Sequence, residues 1–201
     1  MKIGQNKKLK KWVVGIDEVG RGPIAGPIAV CAFILLDKKE INKLSWIKDS
    51  KKMKESMREN AYKVMKQLKR KGKVNYAVSM RDNEFIDKWG IEKATRSSIK
   101  SCLNKLRLNP NKIFVKLDGR LYAPKEYKQE TIVRGDNRVK MISCASVVAK
   151  VSRDRLMRKL SLKHPGYKFD KNKGYGSKLH YKAIKKYGIT DLHRRSFLVQ
   201  L

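Results

Sequence analysis

The sequence predicts an α/β fold organised as one domain, and three observations carry that reading. Short β-type apolar runs alternate with longer stretches of helical period, the pattern of strands joined by packed helices. At 201 residues and 41% hydrophobic content the chain is long enough for one sizeable core and short for two. No internal repeat and no linker divides it. Residues 1–11 read as a basic N-terminal arm and 12–201 as a single domain, whose last part, from about 161, has a distinct helical and loop texture.

In chain order, Trp12, Val13, Val14 and Ile16 make a strand-like run over 12–17 that ends on Asp17-Glu18. Gly20-Arg21-Gly22-Pro23 is a turn, and 28–36 is a second strand. Asp37 to Lys52 is polar loop or short helix. Met53, Met57, Ala61, Val64, Met65 and Leu68 recur at spacings of three and four, which predicts an amphipathic helix to about Arg70, stopped by Gly72. Val74, Tyr76, Val78 and Met80 alternate as in a half-buried strand. Asp82 to Leu108 is a second long helical pattern, interrupted at Gly90. Ile113 to Leu117 predicts a buried strand ending on Asp118-Gly119, and Thr131 to Val133 another ending on Gly135-Asp136. From Ile142 to about Leu160 runs a helix that is first small and apolar, then basic. Ser177 suits the N-cap of a helix over 178–187, which Gly188 closes. His193-Arg194-Arg195-Ser196-Phe197 has no periodicity.

Fifty Lys+Arg against 18 Asp+Glu give a formal charge of +32, spread along the chain. Such a field concentrates polyanions and speeds their association. Charge alone favours a non-enzymatic RNA- or DNA-binding protein, the rival to any enzymatic reading. Cys31, Cys102 and Cys144 are far apart and form no Cys-x-x-Cys pair, which fits reduced structural thiols in a cytoplasmic protein. His164, His180 and His193 have no helix-spaced partner, against a zinc cluster. The longest apolar run, Ile28 to Leu36, is too short to span a bilayer, and the basic start leads into a strand ending in acids rather than a signal-peptide core.

The acids carry the chemistry. Asp17-Glu18, Asp118 and Asp136 each follow a β-rich run beside glycine, and acids at the ends of different strands converge on one edge of an open α/β sheet. Hard oxygen donors suit Mg2+ or Mn2+. Two such ions about 4 Å apart activate water and stabilise an in-line phosphoryl displacement. The pleat sends neighbouring residues to opposite faces, so Asp17 and Glu18 cannot both reach one ion from a regular strand. Gly20-Arg21-Gly22 lacks the pattern of a dinucleotide fingerprint or a P-loop, but it offers unhindered backbone and a guanidinium beside the acids.

These motifs, taken together, resemble the ribonuclease HII family of the ribonuclease H-like superfamily. The resemblance runs from about Val13 to Phe197. It rests on Gly15-Ile16-Asp17-Glu18-Val19-Gly20-Arg21-Gly22-Pro23, Asp49-Ser50-Lys51-Lys52, Ala94-Thr95, Leu117-Asp118-Gly119 and Gly135-Asp136. Ser143-Cys144-Ala145-Ser146, Ala149-Lys150-Val151, Lys173-Gly174-Tyr175 and His193-Arg194-Arg195-Ser196-Phe197 complete it. Arg21 separates the chain from the sister family, ribonuclease HIII, which has Thr there.

The resemblance implies a ribonuclease H-like mixed β-sheet flanked by α-helices, with a C-terminal helical extension. It implies a monomeric endonuclease that cuts the RNA strand of RNA–DNA hybrids and nicks duplex DNA 5′ of embedded ribonucleotides, leaving 5′-phosphate and 3′-hydroxyl ends. Asp17, Glu18, Asp118 and Asp136 would form the metal site for two ions. Asp17 and Asp118 would bind the ion nearer the leaving oxygen, and Asp17 and Asp136 the ion that activates water. Gly20, Arg21 and Gly22 would read the ribose 2′-hydroxyl with Tyr175 packing beside that sugar, and Ser50 and Lys51 would approach a phosphate. Arg120 stands where the family usually carries Asn, and Cys144 where it usually carries Ala.

Overall fold

The structure is a computed structural model that describes residues 12–198; the expected basic arm lies outside the described residues. A five-stranded sheet has the order β3-β2-β1-β4-β5. Its strands are β1 (Trp12–Val19), β2 (Ile28–Leu35), β3 (Val74–Arg81), β4 (Ile113–Asp118) and β5 (Gln129–Ile132). β1 pairs antiparallel with β2, and β2 with β3, whereas β1–β4 and β4–β5 are parallel. The sheet is therefore mixed, and β1 sits at its centre.

Side-chain alternation decides what each layer contains. Val14 and Ile16 of β1, Val30, Ala32 and Ile34 of β2, and Val115 and Leu117 of β4 pack on one face against Ile99, Cys102, Leu103 and Leu106 of α3 (Asn83–Leu106). The opposite face, with Val13, Cys31 and Phe33, packs against α5 (Lys140–Lys163) and, beside it, α2 (Glu55–Arg70). β2 is buried along its whole length because both faces are covered. α3 breaks where the sequence predicts: Gly90 has φ +78°, a conformation costly for residues with a side chain.

Short helices fill the connections: α1 (Ile41–Leu44), α4 (Gly135–Arg138) and α6 (Phe169–Asn172). α7 (Lys178–Tyr187) starts as expected, with the Ser177 side chain accepting from the His180 N–H. The last segment lies over the loop that follows β1, joined by an Ala25–His193 bridge, and encloses a separate apolar cluster of Ile24, Met157, Tyr167, Phe169 and Ile184.

Two expectations need correction. β5 ends at Ile132, and Val133 is exposed, so Asp136 sits in the first turn of α4 rather than at a strand end. β4 alternates buried and half-buried positions rather than being buried throughout, because its odd-numbered residues face α3. Among the described residues no helix is long and apolar enough to cross a membrane.

Candidate metal centre and ribose-reading turn

The pleat places the acids. Ile16 pairs with Leu117 across β1 and β4, and both face α3. The next residue on each strand, Asp17 and Asp118, therefore turns to the α5 face, side by side at the parallel seam. Asp136 joins them from α4. One carboxylate oxygen from each of Asp17, Asp118 and Asp136 lies within 4.8 Å of the others. Glu18 is not in this group. The β1–β2 ladder runs without a bulge through Asp17–Cys31 and Glu18–Val30, so Glu18 turns toward α3. It lines a cavity of about 480 Å³ there with Arg21, Thr95, Arg96 and Arg120.

The acids are oriented from the backbone. The Glu18 N–H donates to Asp17 Oδ1 at 2.8 Å, and the Gly135 N–H donates to Asp118 Oδ1 at 2.6 Å. Ser143 Oγ donates to the Asp136 carbonyl at 2.7 Å, tying α4 to the start of α5. A side chain at Gly135 would press on Ile142 and on the Asp118 carboxylate, so glycine allows that approach.

Among the described residues none of the three acids forms an ion pair, and Lys51 near Asp136 is the nearest balancing charge. Burial pushes the Asp17 carboxyl well above the usual range, and Glu18 and Asp118 push it further. Burial and Asp118 raise Asp136 as well. Burial raises Glu18 to about 7, with Arg21 opposing, and its Oε2 is enclosed without a hydrogen-bond partner. The repulsion among clustered carboxylates that favours a proton is also relieved by a hard divalent cation, and the all-oxygen donor set matches Mg2+ or Mn2+. The residues fit the expected metal.

The Gly-Arg-Gly turn leaves β1 directly. The Arg21 guanidinium forms an ion pair with Glu92 and lies 3.5 Å from Thr95 Oγ1, both on α3. A Cβ built on Gly22 would stand 3.9 Å from Tyr175 Cε1, so the exposed Tyr175 ring faces the turn across a narrow slot. Lys51 sits close enough to Asp136 to favour its charged form. Ser50 is buried and shares a 2.9 Å hydrogen bond with Ser146 Oγ of α5, so its hydroxyl braces the wall behind the acids.

Sequence reasoning missed four participants. Asp49 stands beside Asp136. Glu92 secures Arg21. Arg153 and Arg194 are fully buried behind the turn. For Arg153 a signal existed: it lies four residues from both Ala149 and Met157, on the buried stripe of α5.

Known proteins of similar sequence and fold point to one family. The family model described as Ribonuclease HII matches residues 14–200. A relative named Ribonuclease HII from Clostridium beijerinckii is 39% identical over 192 residues, covering 95% of this chain and 69% of the relative. The crystal structure of the ribonuclease H2 from Pyrococcus horikoshii OT3 superposes with a TM-score of 0.74 at 25% identity, over 92% of this chain and 93% of that one. Bst-RNase HIII in complex with Mn2+ shares the fold, with a TM-score of 0.64 at 19% identity over 90% of this chain and 64% of that one.

Proposed function

The chain belongs to the ribonuclease HII family, and from that premise we propose that it is an endonuclease for RNA–DNA hybrids that also nicks duplex DNA 5′ of an embedded ribonucleotide, using two divalent cations. The products carry 5′-phosphate and 3′-hydroxyl ends. The observation that carries the reading is the convergence of Asp17, Asp118 and Asp136, none of them ion-paired among the described residues, one short turn from Gly20-Arg21-Gly22.

Asp17, Asp118 and Asp136 would hold Mg2+ or Mn2+, with Glu18 contributing from the α3 side of the strand. Bound there, the ions would supply an activated water and neutralise charge that builds on the phosphate during in-line displacement. The chain's own work is placement. Hydrogen bonds from Glu18 and Gly135 fix the carboxylates of Asp17 and Asp118 before substrate arrives. The Gly-Arg-Gly turn and Tyr175 receive the ribose, whose 2′-hydroxyl distinguishes RNA from DNA at that position. Lys51 draws the neighbouring phosphate, and the field of +32 gathers the duplex. On this reading the enzyme works as a monomer, and its three free buried thiols suit the reducing cytoplasm.

Purified protein with Mg2+ or Mn2+ should nick a DNA duplex carrying one ribonucleotide and leave the all-DNA duplex intact. Asp17→Asn should bind the same duplex but not cut it. Equal cleavage by wild type and Asp17→Asn would sink the proposal, and metal-independent binding alone would favour the non-enzymatic rival.

A further inference from the structure

Arg153 and Arg194 are both wholly buried, and among the described residues neither forms an ion pair with an acid. Burying a guanidinium without a carboxylate is costly, and apolar or neutral side chains would fill the same space at less cost. Their donors go instead to main-chain carbonyls. Arg194 donates from Nη2 to Gly20 O at 2.7 Å, from Nη1 to Arg21 O at 2.9 Å and from Nε to Gly26 O at 2.9 Å. Arg153 donates from Nε to Pro27 O at 2.7 Å, from Nη1 to Lys173 O at 2.8 Å and from Nη2 to Ala25 O at 3.3 Å.

The two cations thus grip both sides of the slot: the loop from Gly20 to Pro27, and Lys173, two residues before Tyr175. Gly20 is required beneath them, since a Cβ there would lie 2.3 Å from Arg153 Nε.

The planarity of the peptide unit gives this grip a direction. In a trans peptide the carbonyl and the N–H of the next residue point opposite ways. Drawing the carbonyls of Gly20 and Arg21 inward onto Arg194 turns the N–H groups of Arg21 and Gly22 outward. Neither N–H donates to another described protein group. Both belong to the turn that faces Tyr175. A cation on the carbonyl also polarises the amide, making its N–H a stronger donor.

We infer that Arg194, seconded by Arg153, is the positioning residue that aims and strengthens the Arg21 and Gly22 N–H donors at the 2′-oxygen of the bound ribose. Preference for a ribonucleotide is thereby set from behind the turn, by a residue that does not touch substrate. The inference rests on the ribose-reading role proposed above for that turn.

The test measures affinity in chelator, so that no cutting occurs, for two duplexes that differ by a single 2′-hydroxyl. Wild type, Arg194→Gln and Arg194→Lys are compared, each checked for cooperative thermal unfolding. Both variants should lose about tenfold in the ribonucleotide-to-deoxy affinity ratio, equivalent to ~1.4 kcal/mol. Affinity for the all-deoxy duplex, which surface lysines dominate, should change less than about twofold. Amide NMR of the free protein supplies a readout independent of substrate: the Arg21 and Gly22 N–H protons should move upfield in the variants. Should Arg194→Gln fail to fold, Arg194→Lys, which keeps the charge but not the fork, carries the comparison. An unchanged ratio and unchanged amide shifts in a folded variant overturn the inference. A wild type with no preference between the duplexes overturns the ribose-reading role itself.

Discussion

Gly15→Ala is the most direct way to disturb the site without touching a functional group. Gly15 lies on β1 two residues before Asp17, on the same α5-facing side. A Cβ there would lie 2.1 Å from the Met141 carbonyl carbon and 2.4 Å from the Ile142 nitrogen. Both are backbone atoms at the start of α5, so no rotamer change relieves the clash. The helix must retreat until a 2.1 Å contact becomes an ordinary one of at least 3.4 Å. A radial gap of ~1 Å already forfeits up to about half of the dispersion energy at each contact it opens.

The cost belongs at the upper end of the overpacking range, about 3 kcal/mol, and corresponds to a Tm lower by roughly 6–12 °C for a chain of this size. The same retreat carries Ser143 and α4 away from β1, separating Asp136 from Asp17. Misplacement by ~1 Å lowers catalysis by as much as about 100-fold. Differential scanning calorimetry and single-turnover nicking of a ribonucleotide-containing duplex read the two effects. A Tm within about 2 °C of wild type, with an unchanged nicking rate, would refute the claim that the β1–α5 seam sets the site.

Mg2+ at 100 times its Kd should stabilise wild type by about 2.7 kcal/mol through mass action, and chelator should abolish the gain. Asp17→Asn should lose most of that response yet melt no lower than wild type without metal, because the raised Asp17 carboxyl marks a buried charge the fold does not neutralise. His193 donates from Nε2 to His180 and accepts the Thr190 N–H at Nδ1, and burial followed by the neighbouring His180 lowers it from 6.5 to about 4. The neutral ring therefore contributes stability that is complete above about pH 6.5 and lost as pH falls toward 4. Relative to His193→Asn, wild type should forfeit on the order of 3 kcal/mol across that window in denaturant melts. Tyr175→Ala removes one wall of the slot at an exposed position, so stability should hold. Preference for a ribonucleotide in competition cleavage should fall about fivefold, from roughly 1 kcal/mol of lost apolar contact.

Local periodicity made most of the elements legible. Val74, Tyr76, Val78 and Met80 alternate as a strand does, although β3 is packed on both faces, with Ala77 and Ser79 turned toward α3, and the interruption at Gly90 is visible because a glycine inside a helical pattern has few other uses. The pleat argument identified Glu18 as the acid out of step, and the unbroken β1–β2 ladder places it on the α3 face. The β-branched run Thr131-Ile132-Val133 predicts a strand that carries Asp136 at its end, a preference that an exposed Val133 does not honour. The bonding roles of Arg153 and Arg194 are hidden for another reason. Arginine belongs at the surface by default, and what holds these two inside is a set of carbonyls up to 174 residues distant in sequence. No window along the chain contains both partners.

That distance also bears on how the protein comes into being. β1 and α5 are synthesised before Arg194. The carboxylates of Asp17, Asp118 and Asp136 can therefore assemble with their sheet and α5 before the guanidinium that orients the turn has been made. A nascent chain stalled before His193 would hold the cutting groups without the means to choose where to cut. On the roles proposed above, the discriminating residue is made after the cutting groups, and folding of the segment around Arg194 onto Gly20–Pro27 would be the step that confers selectivity. Released chains ending before His193 and after Leu198 should differ in protease protection at that loop; equal protection would show that it closes without the C-terminal segment.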